Sequence, residues 1–186
     1  MSNIFASKHE LRSEYKQKRL LLSQNDSEKY SEIIINQVKN LPVYKEAKMV
    51  AIYSPVYQEV DVLKLLEDEN KSFCFPKIIN FSASLMDFFE PGRKFVLGVY
   101  DILEPTGRYV SKSEIDLIIV PGLVFSKEGY RIGYGKGFYD IYLSDFNGVA
   151  VGVMYDFQLI NSFVYNESDV PLQILVSNTE VICIAQ

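Results

Sequence analysis

The sequence predicts an α/β domain built on a mainly parallel sheet. Three observations carry this: apolar runs of strand length alternate with segments of helical period, two helical segments precede the first strand, and turn residues bound most runs. At 186 residues the chain has the usual size of one domain, so residues 1–186 are read as a single unit.

The elements follow in order. Ser7 is placed to cap a first helix over about residues 8 to 22, with Leu11, Tyr15 and Leu22 on its apolar stripe. A second helix is expected after Asp26, running through SEKYSEIIINQVKN to Leu41 and Pro42. MVAIYS, from Met49 to Ser54, reads as a buried strand. In EVDVLKLLEDEN the spacing of Val60, Leu63 and Leu66 predicts a further helix. SFCFPKI and SLMDFFEP have the aromatic character of strands, and IDLIIVPGLVF is the most apolar strand of the chain. FYDIYLSDF reads as a helix and GVAVGVMY as a strand, while QILVSNTEVICIA gives two strand pieces turned at Ser177 and Asn178. Turn signals crowd between Glu90 and Glu114, which predicts a surface excursion over the sheet edge.

Composition removes several classes of function. Apolar residues at 48% and charged ones at 23% exclude a disordered or fibrous chain. No apolar run approaches the roughly 20 residues of a membrane span, and MSNIFASKHELRSEYKQKR lacks the apolar core of a secretory signal, so a cytoplasmic protein is expected. A net charge of −5 gives no support to nucleic-acid or membrane-surface binding. An anionic ligand would need a local basic cluster. Cys74 and Cys183 sit in apolar runs with no C-x-x-C pair and are read as buried thiols. His9 is the only histidine; its position on a charged helix face predicts solvent exposure, and a zinc site is not expected.

The stretch RIGYGKGFYD, Arg131 to Asp140, carries the chemistry. Gly133, Gly135 and Gly137 alternate between a strand and a helix, where positive φ and absent Cβ atoms let successive N–H groups face one concave site. Such a turn suits phosphate. It is not a P-loop, because Tyr130 stands where the first glycine belongs, nor a dinucleotide fingerprint, because Phe138 replaces the last glycine. The glycines alone are equally a tight turn without a ligand. Lys136 inside the turn and Arg131 before it add a mobile ammonium and a planar fork for phosphate oxygens. Asp140 is either an acid suited to a helix start or a Mg²⁺ ligand.

With these residues in hand, DLIIVPGLVFSKEGYRIGYGKGFYDIYL, from Asp116 to Leu143, resembles the signature of the 5-formyltetrahydrofolate cyclo-ligase family. Lys8 to Arg12 (K-x-x-L-R), Glu59 after the first strand, Glu104 with Pro105, and Asp169 to Leu172 (D-V-P-L) fit the same family in the same order. The resemblance implies a three-layer α/β/α fold like that of ribose-5-phosphate isomerase and coenzyme A transferases. It also implies ATP- and Mg²⁺-dependent conversion of 5-formyltetrahydrofolate, with or without a polyglutamate tail, into 5,10-methenyltetrahydrofolate. By position, Lys8, Arg12, Arg131, Ile132, Gly133, Tyr134, Gly135, Lys136, Gly137, Phe138 and Tyr139 would bind ATP, with Lys136 and Arg131 acting in catalysis. Ser54, Glu59, Tyr134, Gly135, Lys136, Gly137 and Phe138 would border the folate, and Asp140 and Asp169 would hold the metal. On pattern alone Lys8 and Arg12 are a solvated helix face and Glu59 an ordinary acid. Phe138 for a commoner tyrosine and Ser126 for a commoner aspartate depart from the family pattern without removing a proposed charge.

Tyr53, Phe88 and Tyr134 are aromatics that a flat ring could stack on, although most aromatic residues in such a chain are core. A monomer or weak dimer is expected. Two other readings stay open: a sugar-phosphate isomerase that needs no ATP, and a nucleotide or folate binding module without turnover.

Overall fold

The computed structural model describes residues 6–185. α1 (Lys8–Leu20) starts at Ser7, whose hydroxyl accepts from the Glu10 N–H at 3.2 Å while the Glu10 carboxylate accepts from the Ser7 N–H at 2.7 Å. This reciprocal cap satisfies two of the helix's unpaired donors. α2 (Gln24–Asn40) begins two residues before Asp26, because the Ser23 hydroxyl takes the Asp26 N–H at 3.1 Å and leaves Asp26 inside the first turn. α3 (Pro42–Glu46) was not expected; Pro42 ends α2 and then opens this short helix, where its missing N–H costs nothing.

The strands are β1 (Met49–Ala51), β2 (Ser72–Asn80), β3 (Leu85–Phe89), β4 (Phe95–Leu97), β5 (Leu103–Pro105), β6 (Tyr109–Val110), β7 (Leu117–Val120), β8 (Val124–Ser126) and β9 (Arg131–Ile132), then β10 (Val149–Val153), β11 (Leu159–Ile160), β12 (Ile174–Val176) and β13 (Val181–Cys183). α4 (Phe138–Leu143) lies between β9 and β10. Eight strands form the main sheet in the order β13-β12-β10-β7-β1-β2-β3-β6. From β12 to β2 all neighbours are parallel, and the antiparallel pairs are confined to the two edges.

The parallel strands are apolar throughout because both faces are covered. Val50, Leu117, Ile119, Val151 and Val176 pack with Ile34, Ile35 and Val38 of α2 and Tyr44 of α3. Their neighbours Ala51, Ile118, Val120, Ala150 and Leu175 pack on the other face with Tyr142 and Leu143 of α4. Helices on both faces make the mixed α/β layering that the sequence predicts. α1 packs elsewhere: Leu11 and Tyr15 bury against Leu123, Val124 and Ile132, on the small sheet of β11, β8 and β9.

Three expectations are corrected. IDLIIVPGLVF is not one strand, since Pro121 and Gly122 break it into β7 and β8 on different sheets. The segment after Val60 makes only a 3-10 turn over Val62–Glu67; Val62 and Leu65 are buried while Leu63 and Leu66 face outward. Cys74 is buried, but Cys183 is exposed because β13 is an edge strand. The excursion between Glu90 and Glu114 does run at the sheet edge, where it contributes β4, β5 and β6 and buries Glu104. No helix among the described residues is long and apolar enough to cross a membrane.

Candidate active site

The main sheet has a topological switch at β1: the chain moves to β2 on one side and later returns to β7 on the other. Ligands of open α/β sheets bind at the carboxyl ends of strands on either side of such a point. Here those ends, Tyr53 and Ser54 after β1 and Pro121 and Gly122 after β7, open into a cleft of about 590 Å³. Lys8, Arg12, Ser54, Glu59, every residue from Arg131 to Asp140, and Asp169 line this one cleft. Residues dispersed over the whole sequence thus meet where the topology provides a crevice.

One wall is cationic. Lys8, Arg12 and Lys16 lie four residues apart, so α1 turns all three to the cleft while Leu11, Tyr15 and Arg19 face the interior. Arg12 donates from Nε to the Gly133 carbonyl at 3.0 Å. The glycine turn then passes so near that a Cβ at Gly135, whose φ is +96°, would stand 3.3 Å from the Arg12 guanidinium carbon. Gly137 is left-handed with φ +74°, and a Cβ there or at Gly133 would meet no atom within 4 Å, so the turn borders open space. α4 beyond it has only six residues, which weakens the helix-end attraction read from the sequence. Lys136 is exposed, its ammonium 4.5 Å from the Phe81 ring centroid.

Arg131, the planar fork of the sequence reading, is built into the wall of the cleft. It is 5% exposed, donates to the Val170 carbonyl at 3.1 Å and stands 3.1 Å from Asp140 Oδ1, a charge pair whose N–H is poorly aligned. Burial lowers its pKa from the ordinary value, against the opposing pull of Asp140. Asp140 also accepts from the Val170 N–H at 3.2 Å, which holds the start of α4 beside the segment that carries Asp169. Asp169 pairs with Lys8 and accepts from the Asn166 N–H at 2.7 Å. Among the described residues no group of three or more acids, histidines or cysteines forms a metal cage. Asp140 and Asp169 both line the cleft, and Mg²⁺ is commonly bound by one or two carboxylates together with phosphates.

The cleft also has apolar lining, from Pro76, Ile78, Met86, Val99 and Ile102. Glu104 stands among them, 8% exposed, accepting from the Ile78 N–H at 3.3 Å. Ser54 donates to the Leu103 carbonyl at 3.0 Å and so ties the end of β1 to β5. Glu59 is buried at 6% exposure and accepts from the Val56 N–H and the Tyr134 hydroxyl, each at 3.1 Å. Burial pushes its carboxyl above the usual range, and the Arg19 guanidinium at 3.6 Å pulls it back. Tyr53 and Tyr134 line the cleft, whereas Phe88 is core, edge-on to Tyr142. His9 is exposed and takes no part.

The sequence reading passed over Arg19 and Lys16. Both lie in the run KQKR, and Arg19 follows Leu11 and Tyr15 at four-residue spacing and so belongs to the buried stripe.

Comparisons with known proteins bear on the whole chain. A model of the 5-formyltetrahydrofolate cyclo-ligase family matches residues 4–178. A probable 5-formyltetrahydrofolate cyclo-ligase of Schizosaccharomyces pombe is 34% identical over 127 residues, 63% of this chain and 62% of that protein. The 5-formyltetrahydrofolate cyclo-ligase of Mycoplasma genitalium is 30% identical over 137 residues, 70% of this chain and 73% of that one. The NMR structure of Aquifex aeolicus 5,10-methenyltetrahydrofolate synthetase superposes with a TM-score of 0.86 at 34% identity, covering 96% of this chain and 93% of that one. With a family model matching residues 4–178 and a solved relative sharing the fold, the chain belongs to the 5-formyltetrahydrofolate cyclo-ligase family.

Proposed function

We propose that this chain converts 5-formyltetrahydrofolate and ATP into 5,10-methenyltetrahydrofolate, ADP and phosphate. The observation that carries the reading is that one cleft is lined both by cations of α1 and the glycine turn and by the apolar Pro76, Ile78, Met86, Val99 and Ile102. The first suits a triphosphate and the second a flat, reduced ring system.

The formyl oxygen is a poor leaving group, so the second folate nitrogen cannot close the ring unaided. Moving the γ-phosphoryl group to that oxygen makes it a good one. The nitrogen then bonds to the formyl carbon and gives up its proton, and the C–O electron pair departs with phosphate. Placement and charge neutralisation are the enzyme's task. Lys136 and Arg131 stabilise charge on the transferring group, Lys136 by reaching it from the turn and Arg131 from its buried seat at the cleft wall. Lys8 and Arg12 bind the remaining phosphates. Asp140 and Asp169 would hold Mg²⁺, which supplies neutralising charge to the phosphate oxygens. Glu59 accepts from the adjacent ring N–H and amino group of the pterin.

Oxygen-18 placed in the formyl group tests the route. It should appear in the released phosphate, with one ADP formed per folate consumed; label retained elsewhere would overturn the phosphorylated intermediate.

A further inference from the structure

Arg19 lies behind the cleft, 1% exposed in the last turn of α1. Its Nε donates to the Tyr57 carbonyl at 3.0 Å and its Nη1 to the Gly122 carbonyl at 3.2 Å, while its Nη2 donates to the Tyr134 hydroxyl. That hydroxyl donates onward to Glu59 Oε1 at 3.1 Å. One guanidinium therefore gathers the bend after β1, the end of β7 and the glycine turn.

The bend it holds is strained. Tyr57 and Gln58 have φ of 49° and 58°, two consecutive left-handed residues of which neither is glycine. Such backbone persists only where its surroundings fix it. Arg19 fixes the Tyr57 carbonyl, and the Gln58 amide, oriented to satisfy its hydrogen bonds, donates to the Leu22 and Arg19 carbonyls at 2.9 and 2.7 Å. Glu59 is the next residue.

We propose that Arg19 is a positioning residue that sets Glu59 for the folate and, through the Tyr134 hydroxyl, couples the folate half of the cleft to the nucleotide turn. The inference rests on the folate and ATP reading above. The residues facing Glu59 are Arg19 from α1, Tyr134 from the turn, Tyr53 after β1 and Tyr139 of α4. Of these only Arg19 is charged near neutral pH. Burial already raises the Glu59 pKa, so removing Arg19 raises it further. The ionised form that accepts from the pterin then recovers only as pH climbs through that raised value, whereas wild type reaches its plateau at lower pH.

The test measures calorimetric dissociation constants of 5-formyltetrahydrofolate and of a non-hydrolysable ATP analogue with Mg²⁺, separately and together. The proteins are wild type, Arg19→Met, Arg19→Lys and Tyr134→Phe, each checked for folding by circular dichroism. Arg19→Met should weaken folate about tenfold or more near pH 6.5 and regain at least about threefold near pH 8.5, with the nucleotide alone within about twofold of wild type. Arg19→Lys, a point charge without the planar fork, should fall between. In wild type each ligand should tighten the other about fivefold or more, and Tyr134→Phe should lose most of that gain. A folate loss in Arg19→Met and Arg19→Lys that is equal at both pH values would overturn the proposal, as would coupling that Tyr134→Phe leaves intact or that wild type lacks. If Arg19→Met does not fold, the other two variants decide. Wild-type protein that binds neither ligand would instead overturn the functional reading beneath it.

Discussion

Lys136 separates binding from chemistry more cleanly than its neighbours, because it is exposed on the turn while Arg131 is built into the wall by Val170 and Asp140. Lys136→Ala should lower kcat at least about tenfold, the equivalent of about 1.4 kcal/mol of lost transition-state stabilisation, with thermal stability unchanged. Turnover near wild type in the folded variant would remove Lys136 from the reaction. Asp140→Asn should raise the Mg²⁺ concentration for half-maximal rate by about threefold or more, and an unchanged metal titration would argue that Asp140 serves only to hold Arg131 and Val170. Glu59→Gln should weaken folate while leaving the ATP KM within about twofold; equal weakening of both would reduce Glu59 to a structural residue.

Among the elements, the glycine turn offers a test in which stability and binding diverge. A Cβ at Gly133 meets no atom within 4 Å and the residue is not left-handed, so Gly133→Ala should leave stability within about 0.5 kcal/mol. If phosphate occupies the open space beside the turn, the same variant should raise the ATP KM at least about fivefold. Wild-type KM in the stable variant would place the phosphates elsewhere. This turn was legible in the sequence because glycine spacing, the lysine and the following FYD carry their meaning locally. So were α1, α2 and the parallel strands, whose apolar periods match the faces they bury. The 3-10 turn after Asp61 was not, since Leu63 and Leu66 fit a helical period that the packing of Val62 and Leu65 overrides. Arg19 was missed for a related reason: a cation on an apolar stripe looks like an error in the stripe until the carbonyls of Tyr57 and Gly122 are seen opposite it.

The whole molecule carries a net charge of −5, yet its cleft collects Lys8, Arg12, Lys16, Arg131 and Lys136 beside the acids Glu59, Glu104, Asp140 and Asp169. An anionic nucleotide seated at these cations would be attracted locally against an unfavourable global field. Between about 0.1 M and about 1 M salt the screening length falls from ~10 Å to ~3 Å, so the ATP KM should rise about threefold or more. A salt-independent KM would mean that the cationic wall is not where ATP binds. The placement of the cleft follows from the topology, because the switch between β2 and β7 around β1 opens the crevice that α1 and the glycine turn then line. The central claim is that this cleft joins ATP use to ring closure. Its most direct measurement is the near-ultraviolet absorbance of the conjugated methenyl product when purified protein meets 5-formyltetrahydrofolate. The band should grow with Mg-ATP and stay flat without it; a flat trace in both conditions, from folded protein that still binds ATP, would contradict the account.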